Sequence, residues 1–376
     1  MSNKKIVFLT GTRADFGKIK SLITALEKDD KYTPYVFVTG MHLMEDYGYT
    51  LLEVEKSGFE HVDTFENHTH ETTMDLTLAK TIDGFSNYIK KTNPDLIVVH
   101  GDRVEALAGA IVGSLNNILV AHIEGGEVSG TIDELIRHSV SKMSHLHYVA
   151  NDLAKKRLIQ MGEVATNIFI IGSPDIDVMF SNDLPSINEV TAYYEIPYDH
   201  YAVLMYHPVT TDNANVAIYA NNLVDALLKD DKNYVVIYPN NDLGSREILK
   251  AYKRLNHNSR FRVFPSIRFE YFLSLLKHSD FIIGNSSAGI REAPYYGVPT
   301  LNIGTRQKNR ALHKHILHSN YETNEIYNAI SKVDKIKLQK IKPVFGHGNS
   351  ATLFIDSLRF LWSNNSNIQK QFIDLK

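Results

Sequence analysis

Cysteine is absent from the 376 residues, which excludes disulfides, thiolate metal sites and a cysteine nucleophile. No apolar run approaches the length of a membrane span. The start, Met1 to Lys5 leading into Ile6-Val7-Phe8-Leu9-Thr10, is too brief for a signal peptide, so the expected location is the cytoplasm. An excess of basic charge is also missing. A formal net charge of −3 argues against nucleic acid as a partner, because displacing counterions from phosphates needs a basic face. A small anion remains compatible with that charge, since local arginines and backbone N–H groups can hold a diphosphate. Low-complexity tracts, long charge blocks and clear internal repeats are lacking too. What is there is ordinary for a folded chain, 43% hydrophobic and 22% charged. Its length is large for one core, so two domains are expected.

Short β-branched runs alternate with helix-length segments from the start. Residues 6–10, 34–39, 96–100, 118–123, 147–149 and 168–171 read as strands. A Pro- and Asp-containing stretch follows, Ser173 to Pro185 and then Pro197. The pattern then restarts with strands near 202–206, 234–238, 261–263, 280–283 and 299–303. This alternation predicts α/β architecture, with two doubly wound parallel sheets. The expected division is 1–175, 176–349 and a last segment 350–376. In that segment Leu353, Phe354, Leu358, Leu361 and Trp362 have helical spacing over 350–371.

In doubly wound sheets, ligands bind beyond the carboxyl ends of the strands. Polar groups recur at such ends. Gly11-Thr12-Arg13-Ala14-Asp15-Phe16-Gly17 follows the first strand and does not match the dinucleotide pattern G-x-G-x-x-G. Arg13 there suits phosphate, or it simply pairs at the surface. His100-Gly101-Asp102-Arg103 ends another strand, where Asp102 is either functional or the N-cap of the next helix. Glu124 ends the apolar run Ile118 to Ile123 and enters Gly125-Gly126, a place hard to justify structurally for a carboxylate. Burial would raise its pKa and a cationic partner would lower it. Thr131 and Glu134 fit a capping box, whereas Asp133 is favoured equally by function and by the helix dipole.

In the second half, Gly284-Asn285-Ser286-Ser287-Ala288-Gly289-Ile290-Arg291-Glu292 reads as strand, small-residue loop and helix start. Such a segment can cradle an anion, with Glu292 placed to accept from ribose hydroxyls. His207-Pro208, Pro239-Asn240-Asn241-Asp242 and Gly304-Thr305-Arg306 end further strands. The pairs His145/His147 and His313/His315 lack the H-E-x-x-H spacing, so no metal is expected.

Taken in order, G-T-R-A-D-F-G at 11–17, H-G-D-R at 100–103, H-I-E-G-G-E at 122–127, S-G-T-I-D at 129–133, H-P-V-T-T at 207–211, P-N-N-D at 239–242, G-N-S-S-A-G-I-R-E-A at 284–293 and G-T-R-Q at 304–307 resemble the hydrolysing UDP-N-acetylglucosamine 2-epimerase family. The resemblance covers nearly the whole chain. It implies a GT-B-like fold, two Rossmann-like domains facing a central cleft, with the C-terminal helix returning to the N-terminal domain. It implies Asp102, Glu124, Asp133 and His207 as catalytic residues. Arg13, Arg103, Asn240, Ser286, Ser287, Gly289, Glu292 and Arg306 become substrate-binding positions. The implied partners are a UDP-sugar and UDP, with no cofactor, and the implied assembly is a homo-oligomer, dimer or tetramer. Gly17 departs from vertebrate members, which carry a hydroxyl there. Met41-His42 and Pro208 depart from the non-hydrolysing branch, which has Gln-His and Arg at those places.

The implied reaction is UDP-N-acetylglucosamine plus water giving UDP and N-acetylmannosamine, the entry to sialic-acid synthesis. A relative acting on UDP-linked 2,4-diacetamido-trideoxy sugars is an alternative, and a GT-B glycosyltransferase a more distant one. The C2 hydrogen is not acidified by a carbonyl, so its removal needs the C–O bond to the nucleotide to break in the same step. Preorganised donors must then meet the growing diphosphate charge. Inversion at C2 involves two faces, hence more than one acid/base carboxylate.

Overall fold

The computed structural model describes residues 3–68, 73–307, 316–336, 344–363 and 368–374. They form two compact units. The first comprises Met1–Glu127, Asp133–Ser181 and Val344–Lys376, and the second Val128–Ile132 and Asn182–Pro343.

The first unit holds a seven-stranded sheet: β1 (Lys4–Thr10), β2 (Tyr32–Val38), β3 (Val62–Thr64), β4 (Leu96–His100), β5 (Leu119–Ile123), β6 (Leu146–Val149) and β7 (Ile168–Ile170). Their order is β3-β2-β1-β4-β5-β6-β7, and every pairing is parallel. Helices cover such a sheet on both faces, so its central strands are apolar without alternation. Accordingly all five residues of β4 and of β5 are buried. Phe8, Val98, Ala121 and Tyr148 share a core with Ile19 and Leu22 of the Arg13–Glu27 helix and with Phe354 and Leu358 of the Ser350–Ser363 helix.

That last helix ends at Ser363, short of the 371 expected from its apolar spacing. Asn364-Asn365-Ser366-Asn367 follow in the sequence, all weak helix formers. Residues 368–374 are irregular and tie down locally: Ile373 N–H donates to Gly162 O at 3.2 Å and His145 Nε2–H to Ile368 O at 3.1 Å.

The second unit repeats the architecture with β8 (Ala202–Met205), β9 (Tyr234–Ile237), β10 (Phe261–Phe264), β11 (Phe281–Gly284), β12 (Thr300–Ile303) and β13 (Ile316–Ser319). The order is β10-β9-β8-β11-β12-β13, again all parallel. In each sheet the strand order reverses beside the first strand, between β1 and β4 and between β8 and β11. Loops leaving those strands diverge and open a crevice at their carboxyl ends.

Candidate active-site groups

Every catalytic or binding position expected from the sequence falls on a carboxyl end of one of the two sheets or on the loop or helix that follows. In the first unit, Glu124 comes immediately after β5 with φ of 67°, a left-handed conformation rare outside glycine and found at sites that use the side chain. Its carboxylate is buried. Ser173 Oγ donates to Glu124 Oε1 at 2.5 Å, Lys18 Nζ stands 3.4 Å from the same oxygen, and His100 Nε2 is 3.5 Å from Oε2. Lys18 also reaches the fully buried Asp175, at 3.7 Å. The burial that would favour a neutral Glu124 is therefore opposed by a cation in contact with it.

Asp102 is paired with Arg137, a buried guanidinium from the Ile132–Met143 helix that also donates to Glu127 O at 3.1 Å. Burial would lower the Arg137 pKa, yet the charges of Asp102, Glu127 and Asp133 raise it overall. Arg137 therefore stays charged and holds the Asp102 carboxylate in contact. The N-cap of the following helix is Arg103, not Asp102. Gly101 has φ of 74°, and its carbonyl accepts from His122 Nε2–H at 2.8 Å while His122 Nδ1 accepts from Ser141 Oγ at 2.9 Å. Burial lowers the His122 pKa to about 3, so a neutral ring fixes the turn that carries Asp102.

One expectation is corrected here. The capping box does not form: Thr131 Oγ1 is buried without a hydrogen-bond partner among the described residues, and Glu134 lies 3.6 Å from His138. The amides of the β1 turn are engaged within the turn itself. Asp15 accepts from the N–H groups of Gly11 and Thr12, each at 3.0 Å, and from Thr10 Oγ1 at 2.5 Å. The turn carries its own anion, which leaves Arg13 as its positive group. His42 is buried between Thr10 Oγ1 at 3.0 Å and Thr50 Oγ1 at 2.9 Å, with its pKa lowered to about 4 by burial.

In the second unit His207 is buried and its tautomer is set. Nδ1 accepts from Asn240 N–H at 3.1 Å, which puts the neutral ring's hydrogen on Nε2. Asn285 holds the same turn from the neighbouring strand. Its Oδ1 accepts from His207 N–H at 2.7 Å and its Nδ2 donates to His207 O at 2.8 Å. Asn285 O in turn accepts from Arg306 at 3.2 Å and from Gln307 Nε2 at 2.8 Å. One asparagine thus ties together the loops after β8, β11 and β12. Gly284 has φ of 127°, and a Cβ there would lie 2.0 Å from Met205 O, so only glycine lets β11 end against β8.

The expected helix after Ser287 is two four-residue pieces, Ala288–Arg291 and Ala293–Tyr296, because Pro294 cannot continue the first. Glu292 is buried at their junction. Ser286 Oγ accepts from Ala288 N–H at 3.3 Å. Ser287 is half-buried. Gly289 makes room for packing, since its Cβ would meet Thr300 Cγ2 at 2.5 Å.

The residues missed in the sequence are the holders: Lys18, His100, Ser173 and Asp175 around Glu124, Arg137 at Asp102, and Asn285 with Gln307 beside His207. Ser173 and Asp175, from the Pro- and Asp-containing stretch, are buried in the first unit. The signal for Lys18 and Arg137 was a charge on an apolar helical stripe. His145 and His147 are engaged structurally, His145 Nδ1 accepting from Val120 N–H at 3.1 Å and His147 Nε2 donating to Glu163 at 3.0 Å. His313 and His315 lie outside the described residues. Arg103 contacts Glu105.

Two parallel, doubly wound α/β units with charged and hydroxyl groups at their strand ends define a GT-B-like protein. Residues 24–359 match the family model described as UDP-N-acetylglucosamine 2-epimerase, and the chain belongs to that family. It is 47% identical over 99% of both chains to the UDP-N-acetylglucosamine 2-epimerase of Neisseria meningitidis serogroup B. It is 35% identical to the polysialic acid biosynthesis protein P7 of Escherichia coli, over 87% of this chain and 85% of that one. With a UDP-N,N'-diacetylbacillosamine 2-epimerase (hydrolyzing) of Legionella pneumophila it shares 33% identity over 82% of both. The crystal structure of the Methanocaldococcus jannaschii UDP-GlcNAc 2-epimerase in complex with UDP-GlcNAc and UDP has the same fold, with a TM-score of 0.82 at 22% identity, covering 95% of this chain and 99% of that one. Among the described residues no helix is long and apolar enough to cross a membrane.

Proposed function

We propose that this chain is a hydrolysing epimerase that converts UDP-N-acetylglucosamine and water to UDP and N-acetylmannosamine. The observation that carries the reading is the 47% identity along 99% of a UDP-N-acetylglucosamine 2-epimerase, joined to polar groups at the carboxyl ends of both sheets. In this reading His207, Asn240, Ser286, Ser287, Glu292 and Arg306 receive the nucleotide. The set tautomer of His207 supplies an N–H donor for charge growing on the diphosphate as the C–O bond breaks. Arg13 and Arg103 add positive charge, and Asp102, Glu124 and Asp133 divide the proton transfers at C2. A carboxylate removes the C2 proton as UDP departs, leaving a glycal. Water then adds at C1 and a proton returns to the opposite face of C2. No carbonyl cofactor or metal is needed in that sequence.

The same family resemblance supports a homodimer or tetramer in the cytoplasm; sedimentation across concentrations tests the assembly. The diacetylbacillosamine enzymes are the second reading, and lower identity, 33% and 32%, places them behind. NMR of the reaction in D₂O tests the proposal. Deuterium at C2 of free N-acetylmannosamine is expected. Turnover only of the diacetamido sugar, or transfer only to an added acceptor, refutes it.

A further inference from the structure

Glu105 lies in the first turn of the Val104–Leu115 helix and is 1% exposed. A carboxylate so placed is retained only where something compensates its lost hydration. Its Oε2 lies 3.3 Å from Arg103 Nε, while its Oε1 is buried without a hydrogen-bond partner among the described residues. One strand end has given up a side chain beside it. A Cβ on Gly11, after β1, would stand 2.8 Å from Glu105 Cδ and 2.9 Å from its Cγ. Gly11 is not among the glycines with positive φ, so the space taken by Glu105 is what excludes a side chain there.

An ion pair at i, i+2 is not a helix-surface pair, which needs spacings of three or four. It forms because Arg103 is the extended N-cap residue, with φ of −93° and ψ of 163°, so its side chain folds back onto the first turn. The guanidinium is thereby gripped by its Nε edge, and its other four N–H donors lie on the two Nη nitrogens.

We propose that Glu105 is a positioning residue for ligand binding. It sets the direction in which Arg103 presents its Nη edge to the diphosphate of a nucleotide-sugar, and Gly11 is glycine so that this carboxylate can sit at the sheet end. The inference rests on Arg103 being a binding residue, as proposed above.

The test is a double-mutant cycle on UDP affinity by calorimetry, with steady-state kinetics on the same proteins. Glu105→Gln keeps the side-chain volume and removes the charge. It is expected to raise the UDP Kd and the KM about tenfold, the scale of one charged hydrogen bond, with kcat little changed. In an Arg103→Ala background the same substitution is expected to do nothing further. Gly11→Ala, whose three nearest atoms all belong to Glu105, is expected to act like Glu105→Gln and likewise to fall silent without Arg103. Equal losses from Glu105→Gln with and without Arg103 would overturn the positioning role, as would a fall in kcat at unchanged Kd. An Arg103→Ala protein with wild-type UDP affinity would instead overturn the binding role of Arg103 itself. Thermal unfolding of each variant separates loss of fold from loss of affinity.

Discussion

At the scale of single residues, neutral buried histidines make acid sensitivity part of this protein. His122 and His42 have pKa values lowered by burial from 6.5 to about 3 and about 4. Because the folded values lie below the unfolded ones, the unfolded chain binds protons first. The stabilising contribution is complete above about pH 6.5 and is lost as pH falls toward the folded values. Each ring is expected to cost about 2 kcal/mol between pH 7 and pH 5. Denaturant titrations at the two pH values check this, and His122→Asn should flatten the slope; an unchanged slope would rule His122 out. His207→Ala is expected to lower turnover about 10²–10³-fold in a UDP-release assay. Asn285→Ala is expected to reproduce part of that loss, because the His207 turn is held by both ends of its amide. Glu124→Gln and Asp133→Asn should each fall well below wild type, and near-normal turnover of both would remove the carboxylates from the mechanism. Glu124 was legible because a carboxylate stood at the end of an apolar strand. Lys18, 106 residues away in sequence, carried no local sign of that partnership.

At the scale of elements, the strands that escaped sequence reading are β3 and β13, each at one edge of its sheet, whereas β7 and β10 at the opposite edges were legible. The two that escaped are short, three and four residues. An edge strand is paired on one side only, and Val-Asp-Thr or Ile-Leu-His-Ser need not be apolar throughout. The central strands, buried on both faces, were plain. The C-terminal stretch 368–374 works as a strap on the end of the Ile132–Met143 helix. Lys370 Nζ donates to the carbonyls of Ser141, Lys142 and Ser144 at 3.0, 2.8 and 2.6 Å, where a cation suits the helix C-terminus. The same ammonium meets the buried Glu163 at 2.6 Å, beside Lys142 at 2.8 Å and His147 at 3.0 Å. Burial by itself would raise the Glu163 carboxyl, but these donors hold it down to about 2. Lys370→Met is expected to cost about 2 kcal/mol by removing one partner from a buried anion. Urea unfolding measures it, and a midpoint equal to wild type would show that the strap adds nothing.

At the scale of the whole molecule, UDP at about 100 times its Kd should stabilise the fold by about 2.7 kcal/mol, seen as a rise of several degrees in Tm. Uridine at the same concentration should give little, since in the proposed function the groups gathered by Asn285 hold the diphosphate. Equal shifts from both ligands would contradict that assignment. The sequence by itself determined the α/β class, the two parallel sheets and the strand-end positions of Arg13, Asp102, Glu124, His207 and Arg306. Those follow from local hydrophobic periodicity and from residues immediately adjoining a strand. Only the tertiary structure decided that Asp15 fills the β1 turn, that Arg137 pairs with Asp102, and that Ser173 meets Glu124. Parallel strands are joined by long crossovers, so groups that touch at a sheet end are separated by tens of residues in the chain, and local pattern carries no record of which of them meet.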